Sequence, residues 1–266
     1  MHVPCGWPNS LDVYIDLYSP EINTYAGPTA IDEISGSLDT TIFTVAHLAE
    51  TPPSAWIEAN LVAGTRLGYD PWLHTPGEIK DLGEKLGDRA TLVPSDNLVD
   101  RIWPDRPGAP VTLVESLGNN RAGRDPADKL KELRAALAKD NADAVVLTLP
   151  DSICWLFNIR GRDVPNTPFV LGFAVIPKIG KPKFYVDRVK MNPELRRALD
   201  GIASLADART LIGALEKLGQ DGKRVMIDPA TIPATGRRSA CPWSALWRRC
   251  RRRWRRRGRA ATTPGR

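Results

Sequence analysis

From Asp125 to Leu149 the chain spells a helix and then a strand, and this pair constrains the fold more than any other stretch. Asp125 is an N-cap residue, and Pro126 falls at the first helical position, where its missing N–H costs nothing. Leu130, Leu133 and Leu137 follow three and four apart on one helical face. Beyond the helix, Ala144 to Leu149 (Ala-Val-Val-Leu-Thr-Leu) is a short apolar run of the kind that is buried on both faces of a sheet. A helix with one apolar stripe next to such a strand calls for a layered α/β fold, because the stripe and the strand must cover each other.

The same alternation runs through most of the chain. Thr40 to Val45 is a β-branched, strand-like run, and Thr51-Pro52-Pro53-Ser54 starts a helix expected to reach Ala63. Glu78 to Leu86 reads as a helix and Ala90 to Pro94 as a strand. Asp96 to Trp103 is a capped helical turn that Pro104 stops. Downstream of Leu149 the expected elements are a helix over 151–157, a strand over 169–176 and its hairpin partner over 183–186 across Gly180. Helices at 192–200 and 207–218 and a strand at 224–227 follow. Residues 1–37 show no lasting period and receive no element.

A chain of 266 residues with 42% hydrophobic content can build two domains of ordinary size. The stretch from Pro104 to Gly123 carries three prolines and three glycines, the composition of a connection between domains. The boundary is therefore expected near Arg124, with a first domain over 38–123 and a second over 124–234.

The net charge of +6 conceals two opposite regions. Residues 237–266 hold 12 Arg with no Lys and no acidic residue, which leaves the first 236 residues with 25 basic against 31 acidic groups. The body is thus mildly acidic, and only the segment 235–266, expected to be disordered, is basic. Within it, Trp243, Trp247 and Trp254 stand among the arginines, so nonspecific binding of polyanions is expected. The same composition also arises when GC-rich DNA is read in a shifted frame, and the sequence leaves both origins open.

Cys5, Cys154, Cys241 and Cys250 are scattered without a CxxC pair, which argues against a disulfide framework and a zinc site and fits a reducing compartment. The first 20 residues have no basic start and no long apolar stretch, so neither a signal peptide nor a membrane span is expected there, and a cytoplasmic location follows.

Three segments in order carry a resemblance to a known family: Glu50-Thr51-Pro52-Pro53-Ser54-Ala55-Trp56-Ile57, Gly68-Tyr69-Asp70-Pro71-Trp72-Leu73-His74-Thr75, and Ser152 through Gly161 with Asp163-Val164-Pro165. Together with Asp96-Asn97-Leu98-Val99-Asp100 and Asp228-Pro229-Ala230-Thr231 they resemble the front part of Xaa-Pro aminopeptidases (aminopeptidase P). The resemblance implies two consecutive creatinase N-terminal-type α/β domains, each a mixed sheet flanked by helices. In that family a third, pita-bread domain holds two divalent metals, usually manganese, through two Asp, one His and two Glu, and releases an N-terminal residue that precedes proline. No Asp, Glu or His follows Asp228 here, so no ligand is assigned, no cofactor is expected in this chain and the chain alone is expected to be inactive. The Asp-Gly-Arg segment that opens the family's first domain is not found in residues 1–36. The partners implied are a second copy, the catalytic domain, and a peptide substrate in an intact enzyme only. A regulatory subunit that dimerises with an intact aminopeptidase is the alternative.

No residue is assigned a catalytic or metal-binding role. His74, beside Asp70, reads either as half of an acid–base couple or as a capping or core-edge histidine that faces the catalytic domain. Asn158, Arg160 and Asp163 lie in a loop after a helix, where Arg160 is held either for a neighbouring domain's carboxylate or for an ion pair inside its own domain. Ser152 is read as a helix-capping residue, since no Gly-x-Ser-x-Gly elbow surrounds it. Gly64, Gly68 and Gly77 form no phosphate-binding loop.

Overall fold

The computed structural model describes residues 13–15 and 50–234. The expected strand over 40–45, most of the unassigned 1–37 and the Arg-rich tail lie outside the described residues. The chain divides into two compact units that part at Arg106–Pro107: the first runs to Arg106 and includes Pro233–Ala234, and the second spans Pro107–Ile232.

The first unit contains β1 (Val13–Ile15), α1 (Pro53–Asn60), β2 (Thr65–Tyr69), α2 (Pro76–Leu86), β3 (Ala90–Pro94) and α3 (Leu98–Ile102). Its strands are parallel in the order β1-β2-β3, with Leu67 of β2 in register with Val13 and Leu92. Helix α2 begins with a capping box: the Glu78 N–H donates to Thr75 Oγ1 at 3.2 Å, and the Thr75 N–H donates to Glu78 Oε2 at 2.8 Å. Two of the helix's orphan donors are met reciprocally, which is why it starts ahead of the expected Glu78. Ile57, Leu61, Leu67 and Leu86 form the core, with Leu82, Ala90 and Leu92 packed against it. Sequence pattern alone passes over β2, because Arg66 and Gly68 interrupt its apolar character.

The second unit contains β4 (Glu115–Ser116), α4 (Asn119–Ala122), α5 (Pro126–Lys139), β5 (Ala144–Leu147), α6 (Pro150–Phe157), β6 (Ile159–Arg160), β7 (Phe173–Pro177), β8 (Lys183–Val186), α7 (Pro193–Ala198), β9 (Ser204–Asp207), α8 (Leu211–Gln220) and β10 (Val225–Met226). Five strands build a mixed sheet in the order β10-β5-β7-β8-β9, antiparallel at β5–β7 and β7–β8 and parallel at the two outer pairs. Because side chains alternate along a strand, each face has its own core. Val145, Ala174, Ile176, Phe184 and Val186 share one cluster with Leu130 and Leu137 of α5, Ile153, Leu156 and Phe157 of α6 and Leu195 of α7. Ala144, Val146, Val175 and Tyr185 pack on the other face with Leu211 and Leu215 of α8 and with Ile232. The α/β fold class holds: a mixed sheet lies between helices on both faces.

Three local expectations need correction. Residues 169–172 are not part of the strand that begins at Phe173, because their backbone bonds elsewhere: the Val170 N–H donates to Cys154 Sγ and the Leu171 N–H to Asp163 Oδ2. A Cβ on Gly172 would come within 2.7 Å of Tyr185 O, so the chain passes β8 at a distance that only glycine allows. Residues 204–207 form a strand parallel to β8, and a single 3₁₀ turn at Ala208–Thr210, bonded to the Asp207 side chain, separates it from α8. Ser152 does not cap α6; Pro150 takes the first helical position, and both the N–H and the hydroxyl of Ser152 donate to Asp151 Oδ1.

Candidate functional site

In the second unit, α6 ends at Phe157 and Asn158 turns the chain into β6 in the left-handed conformation (φ 52°, ψ 44°). Asparagine tolerates this region better than most residues, and its amide bonds locally. Asn158 Oδ1 accepts from Lys129 Nζ at 2.5 Å, and its Nδ2 donates to Arg124 O at 2.8 Å and to Asn119 Oδ1 at 3.1 Å. The side chain thereby ties the end of α6 to α5 and to the segment that precedes it.

Lys129 is buried, although it carries an ammonium group. Besides Asn158 it donates to Trp155 O at 2.6 Å and lies 4.5 Å from the Trp155 ring centroid. Burial, and then the nearby Arg124 and Arg160 charges, push its pKa below the ordinary 10.5. Trp155 O is one of the last carbonyls of a helix, the negative end of its dipole, so a cation is favourable there. Arg160, on β6 opposite Glu115, adds a second one: its Nη1 donates to Cys154 O at 3.3 Å and to Ile159 O at 2.8 Å. The ion pair expected for Arg160 inside its domain is not among the ion pairs of the described residues.

Asp163 stands at the centre of a different arrangement. Its Oδ2 accepts from Lys190 Nζ at 2.6 Å and from the Leu171 N–H at 2.7 Å, while Oδ1 accepts from Thr112 Oγ1 at 2.6 Å. Both members of the Asp163–Lys190 pair are buried. Burial by itself would raise the carboxyl pKa, but the bonds from Lys190, Thr112 and Leu171 outweigh it and hold the group below its ordinary value near 3.8. These contacts draw residues 112, 163, 171 and 190 together, and they leave Asp163 committed to holding its own unit. Cys154, next to this region, is a buried thiol whose pKa burial raises, against a weaker opposing bond from the Val170 N–H, so it has the character of an inert core residue.

In the first unit, His74 is buried in the turn after β2, edge-on to Tyr69 with ring centroids 5.8 Å apart. Its Nδ1 lies 2.8 Å from the main-chain oxygen of Asp70, which can only accept, so Nδ1 carries the proton. The imidazole therefore meets the backbone of Asp70 and not its carboxylate. That carboxylate accepts from the Trp72 N–H at 2.7 Å and from Asn97 Nδ2 at 3.0 Å. Nε2 of His74 is buried without a hydrogen-bond partner among the described residues. The Ala234 N–H donates to His74 O at 2.8 Å, which anchors the turn further.

Lys129, Lys190 and Thr112 were not singled out from the sequence as site residues. Lys129 had a readable signal, since it falls on the apolar stripe of α5 beside Leu130, a position where an unpaired lysine is rarely buried. Lys190 and Thr112 had none, for each meets Asp163 across a long separation in sequence.

Residues 105–242, more than half of the chain, match the Creatinase/Prolidase N-terminal domain. The chain belongs to that family. Aminopeptidase P2 of Arabidopsis thaliana is similar to it, 29% identical over 184 residues that cover 67% of this chain and 26% of that protein. Aminopeptidase P1 of Lotus japonicus is 33% identical over 157 residues, covering 58% and 24%. The creatinase N-terminal fold recurs in the crystal structure of an X-prolyl aminopeptidase from Caenorhabditis elegans, described as a cytosolic enzyme with a di-nuclear active site. That structure aligns with a TM-score of 0.64 and 26% identity over 69% of this chain and 31% of the other. The chain thus spans about a quarter of the length of the curated relatives it matches. Among the described residues no group of three or more His, Cys, Asp or Glu is placed to hold a metal ion. No helix among them is long and apolar enough to cross a membrane.

Proposed function

We propose that this chain is a non-catalytic module of a cytosolic Xaa-Pro aminopeptidase, with two creatinase N-terminal-type domains. The observation that carries the reading is the family match over 105–242 combined with the commitment of the buried carboxylates Asp70 and Asp163 to structural bonds. A metal-bound hydroxide needs several hard oxygen or nitrogen donors at one point, and the described residues offer none together. The module's role is then to assemble with a second copy or with a catalytic domain and to restrict access to its active site. Arg160 is the candidate contact to a carboxylate of such a partner, since its described bonds use Nη1 alone. His74, Asn158 and Asp163 support their own units.

The test is an assay of the purified chain with a proline-containing peptide and added manganese, followed by co-purification with an intact aminopeptidase P. No turnover together with co-purification is expected. Peptide cleavage by the chain alone would overturn the reading.

A second reading, polyanion binding, is favoured by the 12 Arg between residues 237 and 266. Deleting those residues is expected to abolish salt-dependent binding of nucleic acid. Binding that survives the deletion unchanged would rule the tail out as its source.

A further inference from the structure

We draw no further inference here: the strongest candidate, the buried imidazole of His74 in the turn after β2, presents an unpartnered Nε2 but belongs to the site already described, and nothing among the described residues shows what group that nitrogen would meet.

Discussion

The region around Asp163 and the region at the end of α6 each bury one ammonium group, and they compensate it by different means. Lys190 faces a carboxylate that two further donors also serve. Lys129 faces a main-chain carbonyl, an amide oxygen and the face of an indole ring, all of them neutral. The first arrangement balances a full charge with a full charge, so each partner depends on the other. The second spreads the charge over helix-end dipoles and a ring quadrupole, so the loss of the cation leaves unmet acceptors and no stranded ion. Burial of a lysine therefore does not by itself tell how costly its removal will be.

This contrast can be broken by mutation. The largest effect is expected for Asp163→Ala, which strands the Lys190 ammonium and should destabilise the fold by about 3–5 kcal/mol in urea unfolding. A loss below about 1 kcal/mol would mean that Lys190 finds water or another acceptor, and the ion pair would lose its central place. Lys129→Met should cost less, about 1–3 kcal/mol, because it removes one donor from the Trp155 carbonyl and the Asn158 amide oxygen and strands no charge. If the two variants prove equal, the distinction between charge pairing and dipole compensation fails.

Stability measured against pH sharpens the comparison with the smallest expected changes. The Asp163 pKa is lowered in the folded state, so its stabilising contribution is complete above the unfolded value near 3.8 and is lost as pH falls through the folded value. The Lys129 pKa is also lowered, but there the unfolded chain binds more protons between the folded value and 10.5, so stability at that site rises with pH across that window. Urea midpoints collected over a pH series should therefore lose part of their acid slope in Asp163→Asn and part of their alkaline slope in Lys129→Met. A Lys129→Met series parallel to the parent at high pH would show that the ammonium is not desolvated as its burial indicates.

The elements that sequence disclosed best are those whose signals are local. The Asp125 cap, Pro126 and the leucine stripe place α5, and the Ala144–Leu147 run places β5, since each depends on neighbours within a few residues. Residues 204–207 were hidden for the opposite reason: Ser-Leu-Ala-Asp has no strand-like run, and it becomes a strand because β8 offers it a ladder. Residues 169–172 look like strand and are not, because a thiol and a carboxylate brought in from elsewhere take their N–H groups.

Taken by itself, the sequence determined the α/β class, the Asp125 cap of α5, the acidic body with its arginine-rich end, and the likeness to aminopeptidase P. Only the tertiary structure decided what His74, Asn158, Arg160 and Asp163 touch. It turned the Asp70–His74 neighbourhood into a backbone contact and supplied Lys190 as the counterion of Asp163. The physical reason is range. Caps and apolar stripes act over one or two helical turns, whereas a buried charge is balanced by whatever group the fold brings to it, and sequence spacing holds no record of that meeting.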